Sequence, residues 1–323
     1  MFRKEIGIDI GTTQITICSA EGGLLYRGPS VAAIDVDGGE ILEAGNEALA
    51  LVKAAPERAT LCWPVWDRVV KSANVLSAIL RTFLRRALGR TLFRPVAMVC
   101  IPCDLTEAQV NAVEDAVLAA GVSRVHLLEA PLCATLGVGF DFSVPKGRMV
   151  IHMGASRVEA AVVFLGDMVV HKTTHVAGQS FDLAIVEYMQ KAFNMKITRR
   201  TAEQIKIRIA RVVDHNDVKY LDVKGRDIQT GERRVQTLAS KDMMDVLKDV
   251  LVPVIDVAYA MVENTVEEMR ADIAAGGVVL TGGGILSGVA QLLADALGVR
   301  VSVAANAETA AAEGAARALA RLR

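Results

Sequence analysis

Residues 5–20 read EIGIDIGTTQITICSA, and residues 147–163 read GRMVIHMGASRVEAAVV. In the first stretch apolar residues alternate on both sides of a Gly11-Thr12-Thr13 corner, the pattern of two strands joined by a tight turn. The second stretch repeats that shape, with Gly154 lying 143 residues after Gly11. Self-similarity over such a distance predicts a duplicated chain of two lobes, in keeping with its 323 residues.

The segments around these hairpins predict an α/β sandwich. Residues 75–89 (VLSAILRTFLRRALG) are apolar at helical spacing, with arginines gathered in the last turn before Gly89. RPVAMVCIP reads as a buried strand, and Thr106 with Gln109 forms a capping box for a helix running through Val110, Val113 and Val117 to Gly121. In the second half, 181–194 and 201–211 read as helices, and 221–240 as a strand hairpin turning near Gly231. A long helix is predicted from Ser240 to about Arg270, tolerating Pro253 and leading into the strand GGVVLTGGG, and an Ala-rich helix spans 307–322.

Composition narrows the function. Thirty-six basic and 37 acidic residues leave a net charge of −1, so no global field draws a nucleic acid. A hydrophobic fraction of 52% with only 4% aromatics predicts a core of Ala, Val, Leu and Ile and excludes disorder. No run reaches 18 uninterrupted apolar residues, and Asp9 interrupts the early apolar run, so a cytoplasmic protein is expected. Five cysteines scattered in apolar segments predict reduced thiols. The pair Cys100 and Cys103 has no second Cys or His pair at zinc spacing and reads as buried thiols.

Two loops carry phosphate chemistry. At Asp9-Ile10-Gly11-Thr12-Thr13, glycine lets backbone approach a phosphate and successive N–H groups can form an anion nest, while Asp9 can hold Mg²⁺ through water. By itself this pattern also fits an ordinary hairpin turn. Thr281-Gly282-Gly283-Gly284 follows the strand VVL and precedes a helix, which suits flat backbone laid on a nucleotide and helix N–H groups aimed at phosphate.

These segments, with IPCDLTEAQVNAVEDAVLAAGVSRVHLLEAPLCATLGVG, TAEQIKI, VKGRDIQTG and VVLTGGGILSGV, resemble the bacterial MreB proteins, the actin-like cell-shape filaments, nearly end to end. The resemblance implies an actin-like fold: two ribonuclease-H-like lobes around an ATP cleft, each with a small subdomain. Lobe I would take residues 1–145 and 306–323, with a subdomain near 33–63. Lobe II would take 146–305, with a subdomain near 181–240. Carried over by position, Asp9, Gly11, Thr12 and Thr13 match the first phosphate loop, with Asp9 also the Mg²⁺ residue. Gly154, Ala155, Ser156 and Gly178 fall at the second phosphate loop and its surroundings, and Gly282, Gly283 and Gly284 match the adenosine loop. Glu203 and Lys206, at i and i+3 on one helix face, match residues that hold ribose and adenine; an exposed ion pair is the other reading. Glu129 matches the residue that positions the attacking water, a carboxylate's task; otherwise it begins a helix.

The second phosphate loop departs from the family. Where MreB has an Asp followed by Gly-Gly-Gly-Thr-Thr-Glu, this chain reads His152-Met153-Gly154-Ala155-Ser156-Arg157-Val158-Glu159. The acid that helps hold Mg²⁺ is replaced by His152, and two glycines by Ala155 and Ser156. Arg157 reads as a solvated strand-edge residue. Asp67-Arg68 departs too, since the family usually has glycine after that Asp. Losing one group aimed at the transition state costs about 10² to 10³ in rate, so ATP binding with weak or lost hydrolysis is expected.

Leu92 and Phe93 lie in a loop flanked by Arg85, Arg86, Arg90 and Arg94, the place where MreB proteins carry a membrane-dipping loop. Met1-Phe2-Arg3-Lys4 is too short to anchor by itself. The resemblance thus implies a cytoplasmic protein peripheral at the inner face of the cytoplasmic membrane. Its partners would be copies of itself in a filament and other MreB-type subunits, with no nucleic acid. The alternative is a non-polymerising regulatory paralogue that co-assembles with or caps another MreB filament. A small-molecule kinase of the superfamily would need substrate-binding insertions that are not seen.

Overall fold

The computed structural model describes residues 4–21, 23–67, 69–214 and 217–322; Met1–Arg3 and Arg68 lie outside them. The chain divides into two compact units. Unit 1 comprises residues 1–145, 163–168 and 304–323, and unit 2 residues 146–162 and 169–303.

Unit 1 begins with β1 (Glu5–Ile10), β2 (Gln14–Ser19) and β3 (Gly23–Pro29). β4 (Ala32–Asp35), β5 (Ile41–Ala44), α1 (Asn46–Ala54) and β6 (Ala59–Cys62) build a small sheet with one helix over it. The short hairpin β7 (Val65–Trp66) and β8 (Val69–Val70) leads to α2 (Ala73–Leu88), β9 (Val96–Ile101), α3 (Glu107–Ala119), β10 (Arg124–Glu129) and α4 (Ala130–Gly137). The main sheet runs β10-β9-β1-β2-β3, with β1 parallel to β9 and antiparallel to β2. Asp67 holds a positive φ of 50° in the β7–β8 turn, a conformation short Asp side chains tolerate.

Unit 2 carries β11 (Arg148–Met153), β12 (Val158–Phe164), β13 (Asp167–Thr174), α5 (Gly178–Phe193), β14 (Met195–Lys196) and α6 (Arg199–Ile209). Then come β15 (Tyr220–Asp227), β16 (Arg233–Ala239), α7 (Met244–Glu263), α8 (Glu267–Gly276), β17 (Val278–Thr281), α9 (Val289–Leu297) and β18 (Val301–Val303). Its main sheet runs β13-β12-β11-β17-β18, the order of the first sheet repeated: a central strand, its two successors on one side, two later strands on the other. The turns match as well. Gly11 N–H donates to Gln14 O at 2.9 Å, and Gly154 N–H donates to Arg157 O at 2.9 Å.

The chain then returns to unit 1 as α10 (Ala310–Ala320). Alternation in β1 sends Ile6, Ile8 and Ile10 into the core shared with α2 and α3. The opposite face meets α10 without room for side chains: a Cβ on Gly7 would stand 2.0 Å from Ala312 O. The same economy joins α10 to α4, where a Cβ on Gly314 would lie 1.7 Å from Cys133 O and one on Gly137 1.8 Å from Ala310 O. Arg317 Nη1 donates to Leu136 O at 2.8 Å and Gly137 O at 2.6 Å, satisfying the carbonyls that end α4.

The capping box at Thr106 and Gln109 is present. The single long helix predicted from Ser240 is two, α7 and α8. Thr265 Oγ1 and Asn264 Nδ2 bond back to Met261 O and Ala260 O, and Val266 adopts an extended ψ of 154° that restarts the chain. Pro253 sits inside α7 as expected. None of the five cysteines is in a disulfide. Burial pushes the Cys18 thiol up to about 12, so it stays protonated.

The α4–α10 crossing has no slack for a methyl group. Gly314→Ala is expected to destabilise the protein by about 3 kcal/mol or more, read as a lower urea midpoint with an unchanged slope, whereas Ala318→Ser on the same helix should move it little.

Candidate functional site

In unit 1, Asp9 stands near the carboxyl end of β1, and Glu129 is the last residue of β10. Because β1, β9 and β10 are mutually parallel, both carboxylates lie at one end of the sheet, where α/β sheets bind ligands. Asp9 pairs in register with Cys100, and Glu129 with Ile101, one position on. Glu129 occupies the N-cap position of α4 but its side chain makes no capping bond, which leaves the carboxylate for other work. Thr12 is buried, and Gly11 and Thr13 are half-buried. Beside them Ser30 donates its N–H to Thr13 O at 2.9 Å, while its fully buried Oγ has no hydrogen-bond partner.

In unit 2, three backbone segments meet. Gly284 N–H donates to Met153 O at 2.8 Å, Gly178 N–H to Gly154 O at 3.2 Å, and Gln179 N–H to Ala155 O at 2.6 Å. A Cβ on Gly282, whose φ is +95°, would lie 2.2 Å from Met153 O, and one on Gly284 2.1 Å from Gly154 O. These glycines are therefore required by the loop's own packing, and Gly283 between them is exposed. The loop does not run straight into a helix: Ile285–Ser287 intervene, and α9 starts after Gly288, because Gly284 N–H is already spent on Met153 O.

His152 is buried, and its Nδ1 lies 3.1 Å from Thr281 Oγ1 on the paired strand β17. Arg157, read from sequence as solvated, is only 2% exposed. It lies on β11's neighbour side of the turn, next to the buried Val158 and Glu159. Ala155 is half-buried and Ser156 buried. Among the described residues, no backbone acceptor takes the N–H of Thr13, Ala155 or Gly283, so each turn and the glycine loop present a donor.

Lys206 does not pair with Glu203. Its Nζ lies 2.7 Å from Asp182 Oδ1 and donates to Gly178 O at 2.9 Å; Asp182 is buried and Lys206 half-buried. Burial raises the Asp182 pKa above the usual carboxylate value, against the pull of Lys206. The tie fastens α6 to the start of α5, and so to the turn at Gly154. Asp182 escaped the sequence reading; its signal was an acid set between Phe181 and Ile185 on an otherwise apolar helix face.

Among the described residues no cluster of three or more His, Cys, Asp or Glu could hold a metal by protein ligands alone. A lone Asp9 still fits Mg²⁺, which keeps most of its waters and takes one or two carboxylates plus phosphate oxygens. The free N–H donors and the orphaned Ser30 hydroxyl fit a phosphate-bearing ligand.

Leu92 is 81% and Phe93 48% exposed, so their loop is not buried under a neighbouring element. Arg85, Arg90 and Arg94 are exposed beside them. Arg86 is committed elsewhere: it donates to Tyr26 Oη at 2.9 Å and pairs with Glu47 at 2.8 Å, holding the Glu47 carboxyl below its usual value.

A family model described as MreB/Mbl protein matches residues 3–323. The chain is 34% identical over 308 residues to the cell shape-determining protein Mbl of Bacillus subtilis strain 168, covering 95% of this chain and 92% of that one. It is 29% identical over 326 residues to the cell shape-determining protein MreB of Escherichia coli K12, covering 99% and 94%. The crystal structure of MreB5 of Spiroplasma citri bound to AMPPNP superposes with a TM-score of 0.90 at 24% identity, over 97% of this chain and 95% of that one. The MamK double helical filament gives 0.83 at 16%, over 99% of both. These likenesses establish an actin-like fold.

Breaking the buried pair tests the tie between α5 and α6. Asp182→Ala leaves the Lys206 ammonium buried beside one carbonyl and is expected to cost about 3 kcal/mol or more, measured by urea unfolding. Lys191→Ala, at an exposed ion pair on the same helix, should cost under about 0.5 kcal/mol.

Proposed function

The chain belongs to the MreB/Mbl family, and we propose that it is an ATP-binding subunit of a self-assembling, membrane-associated filament with weak or lost ATP hydrolysis. The observation that carries the nucleotide reading is the pair of equivalent turns, Gly11–Gln14 and Gly154–Arg157, each offering an unused N–H at its tip. In this reading Gly11, Thr12 and Thr13 in unit 1 and Gly154, Ala155 and Ser156 in unit 2 hold phosphates. Gly178 supports the second turn. Gly282, Gly283 and Gly284 pack the nucleoside, and Glu203 takes the ribose hydroxyls. Lys206 acts chiefly by fixing α6 in place. Asp9 would hold Mg²⁺ through its waters; the ion would neutralise phosphate charge. Glu129 would orient the attacking water. The MreB5 neighbours, bound to AMPPNP and to ADP, support the choice of ligand.

Weak hydrolysis follows from the second turn. A buried imidazole bonded to Thr281 brings no negative charge to the metal, and Ala155 and Ser156 stiffen backbone that glycine would leave free. The filament reading rests on the family and on the relatives' cell-shape role. Placement at the inner face of the cytoplasmic membrane rests on exposed Leu92 and Phe93 among exposed arginines.

Purified protein should pellet as ordered filaments with ATP and with AMPPNP but not without nucleotide, and should release phosphate slowly. His152→Asp, returning the acid, should raise Mg²⁺-dependent release about tenfold or more. Brisk release by the unaltered protein would refute weak hydrolysis, and absence of filaments in every condition would favour the co-assembling regulator.

Binding to anionic vesicles gives a separate test. With about 1.5 kcal/mol or more per inserted apolar side chain, Leu92→Ser with Phe93→Ser should lower vesicle partition about 10²-fold, and undiminished binding would overturn the membrane role.

A further inference from the structure

At the C-terminal end of α6, a cavity of about 500 Å³ opens among Arg208, Arg211, Asp217, Lys219 and Ser287, with Ile207, Ile209 and Ala210 completing its wall. All of these belong to unit 2, and none is a residue assigned above to nucleotide. Arg211, one of the residues that line it, is buried, with 7% of the residue exposed. Arg211 Nη2 donates to Asp217 O and Ser240 Oγ, both neutral, and the guanidinium forms no ion pair among the described residues. A buried charge ordinarily has a counter-charge, because desolvation is expensive without one. The backbone around it is fixed: Val212 N–H donates to Ser287 O at 3.0 Å and Lys219 N–H to Ser240 Oγ at 3.1 Å.

At the mouth stand Arg208 and Lys219, both exposed and both without an ion pair among the described residues. Among the described residues that line the cavity, three cations thus stand against one carboxylate, Asp217. The helix end can account for only part of the excess, since the α6 dipole offers roughly half a negative charge. The surrounding segment has the same bias: residues 191–240 carry 12 Lys and Arg against six Asp and Glu, in a chain whose net charge is −1.

We propose that this cavity is a second anion site, distinct from the nucleotide residues, that takes a compact phosphate-bearing ligand of two or more negative charges. The guanidinium fork of Arg211 suits phosphate oxygens, and Arg208 and Lys219 close over the outer charge. The volume lies within the range of small-molecule sites and exceeds a single phosphate ion, so the ligand carries a second phosphate or a small organic body.

The probe is pyrophosphate, titrated calorimetrically into full-length protein saturated with ADP, so that failure here is separable from failure of the nucleotide reading. One pyrophosphate should bind alongside ADP. Arg208→Ser with Lys219→Ser, both exposed positions, should weaken it at least tenfold while leaving ADP affinity and thermal midpoint unchanged. Arg211→Met should abolish pyrophosphate binding, with the circular dichroism spectrum checking its fold. A source arm uses phosphatidylglycerol vesicles with the Leu92→Ser, Phe93→Ser protein: residual uptake lost with Arg208→Ser and Lys219→Ser assigns the phosphate to a lipid headgroup, and no such uptake assigns it to a free solute. No heat of binding, displacement of ADP by pyrophosphate, or equal affinity in the Arg208→Ser, Lys219→Ser protein would each overturn the proposal.

Discussion

Backbone packed directly on backbone, with glycine wherever a Cβ would collide, is the constraint from which the arrangement of both units follows. In unit 2 it lets the loop after β17 rest on the carbonyls of Met153 and Gly154, while Gly178 brings α5 against the same turn. In unit 1 it lets α10 cross α4 at Gly137 and Gly314 and cover β1 at Gly7. Contacts this short leave no volume for aromatic side chains at these crossings, and the fully buried aromatics Phe83 and Phe181 sit elsewhere, in the cores of the two units. Such contacts also make position precise: a peptide group held by its neighbours' hydrogen bonds has far less play than a side chain, and an anion-binding turn depends on where its N–H groups point.

The duplicated hairpins were readable from sequence because alternation and a glycine corner are local properties. The repeated strand order that follows from them appears in both sheets. The helix from Ser240 misled because its apolar spacing continues across Asn264 and Thr265, whose side chains compete for the carbonyls one turn back and end α7 early. Arg157 misled because charge suggests solvent, yet it follows a tight turn into a strand buried along most of its length. Asp182 was invisible because its partner lies 24 residues away on another helix, and no periodicity reports a contact between helices. Of the glycines 282–284, two are demanded by protein backbone alone, a requirement that comes from contacts with the distant turn at Met153 and Gly154 and that no local pattern reports.

The two turns are equivalent in geometry and different in chemistry. Asp9 and His152 occupy corresponding places on the central strands, paired respectively with Cys100 and Thr281. The first position holds a half-buried carboxyl. At the second, a ring only 4% exposed and bonded to Thr281 is held as part of the core. On the proposed reading this asymmetry would let one turn keep metal chemistry and limit the other to its backbone N–H groups, favouring binding over cleavage.

The ion pair of Lys206 and Asp182 adds a further consequence for α6. Desolvation outweighs attraction at Asp182, whose pKa rises although an ammonium lies 2.7 Å away, and each half of such a pair is costly to lose. What it supplies is position: Lys206 reaches Gly178 O as well, so α6 cannot slide along α5 without breaking two bonds to one ammonium. With its charge spent inside the protein, Lys206 has little left for a ligand. Glu203, on the same helix, is half-buried and without an ion pair among the described residues. On the reading proposed above, that carboxylate would accept hydrogen bonds from the hydroxyls of a sugar and repel phosphate, setting a ribose rather than a phosphate against α6.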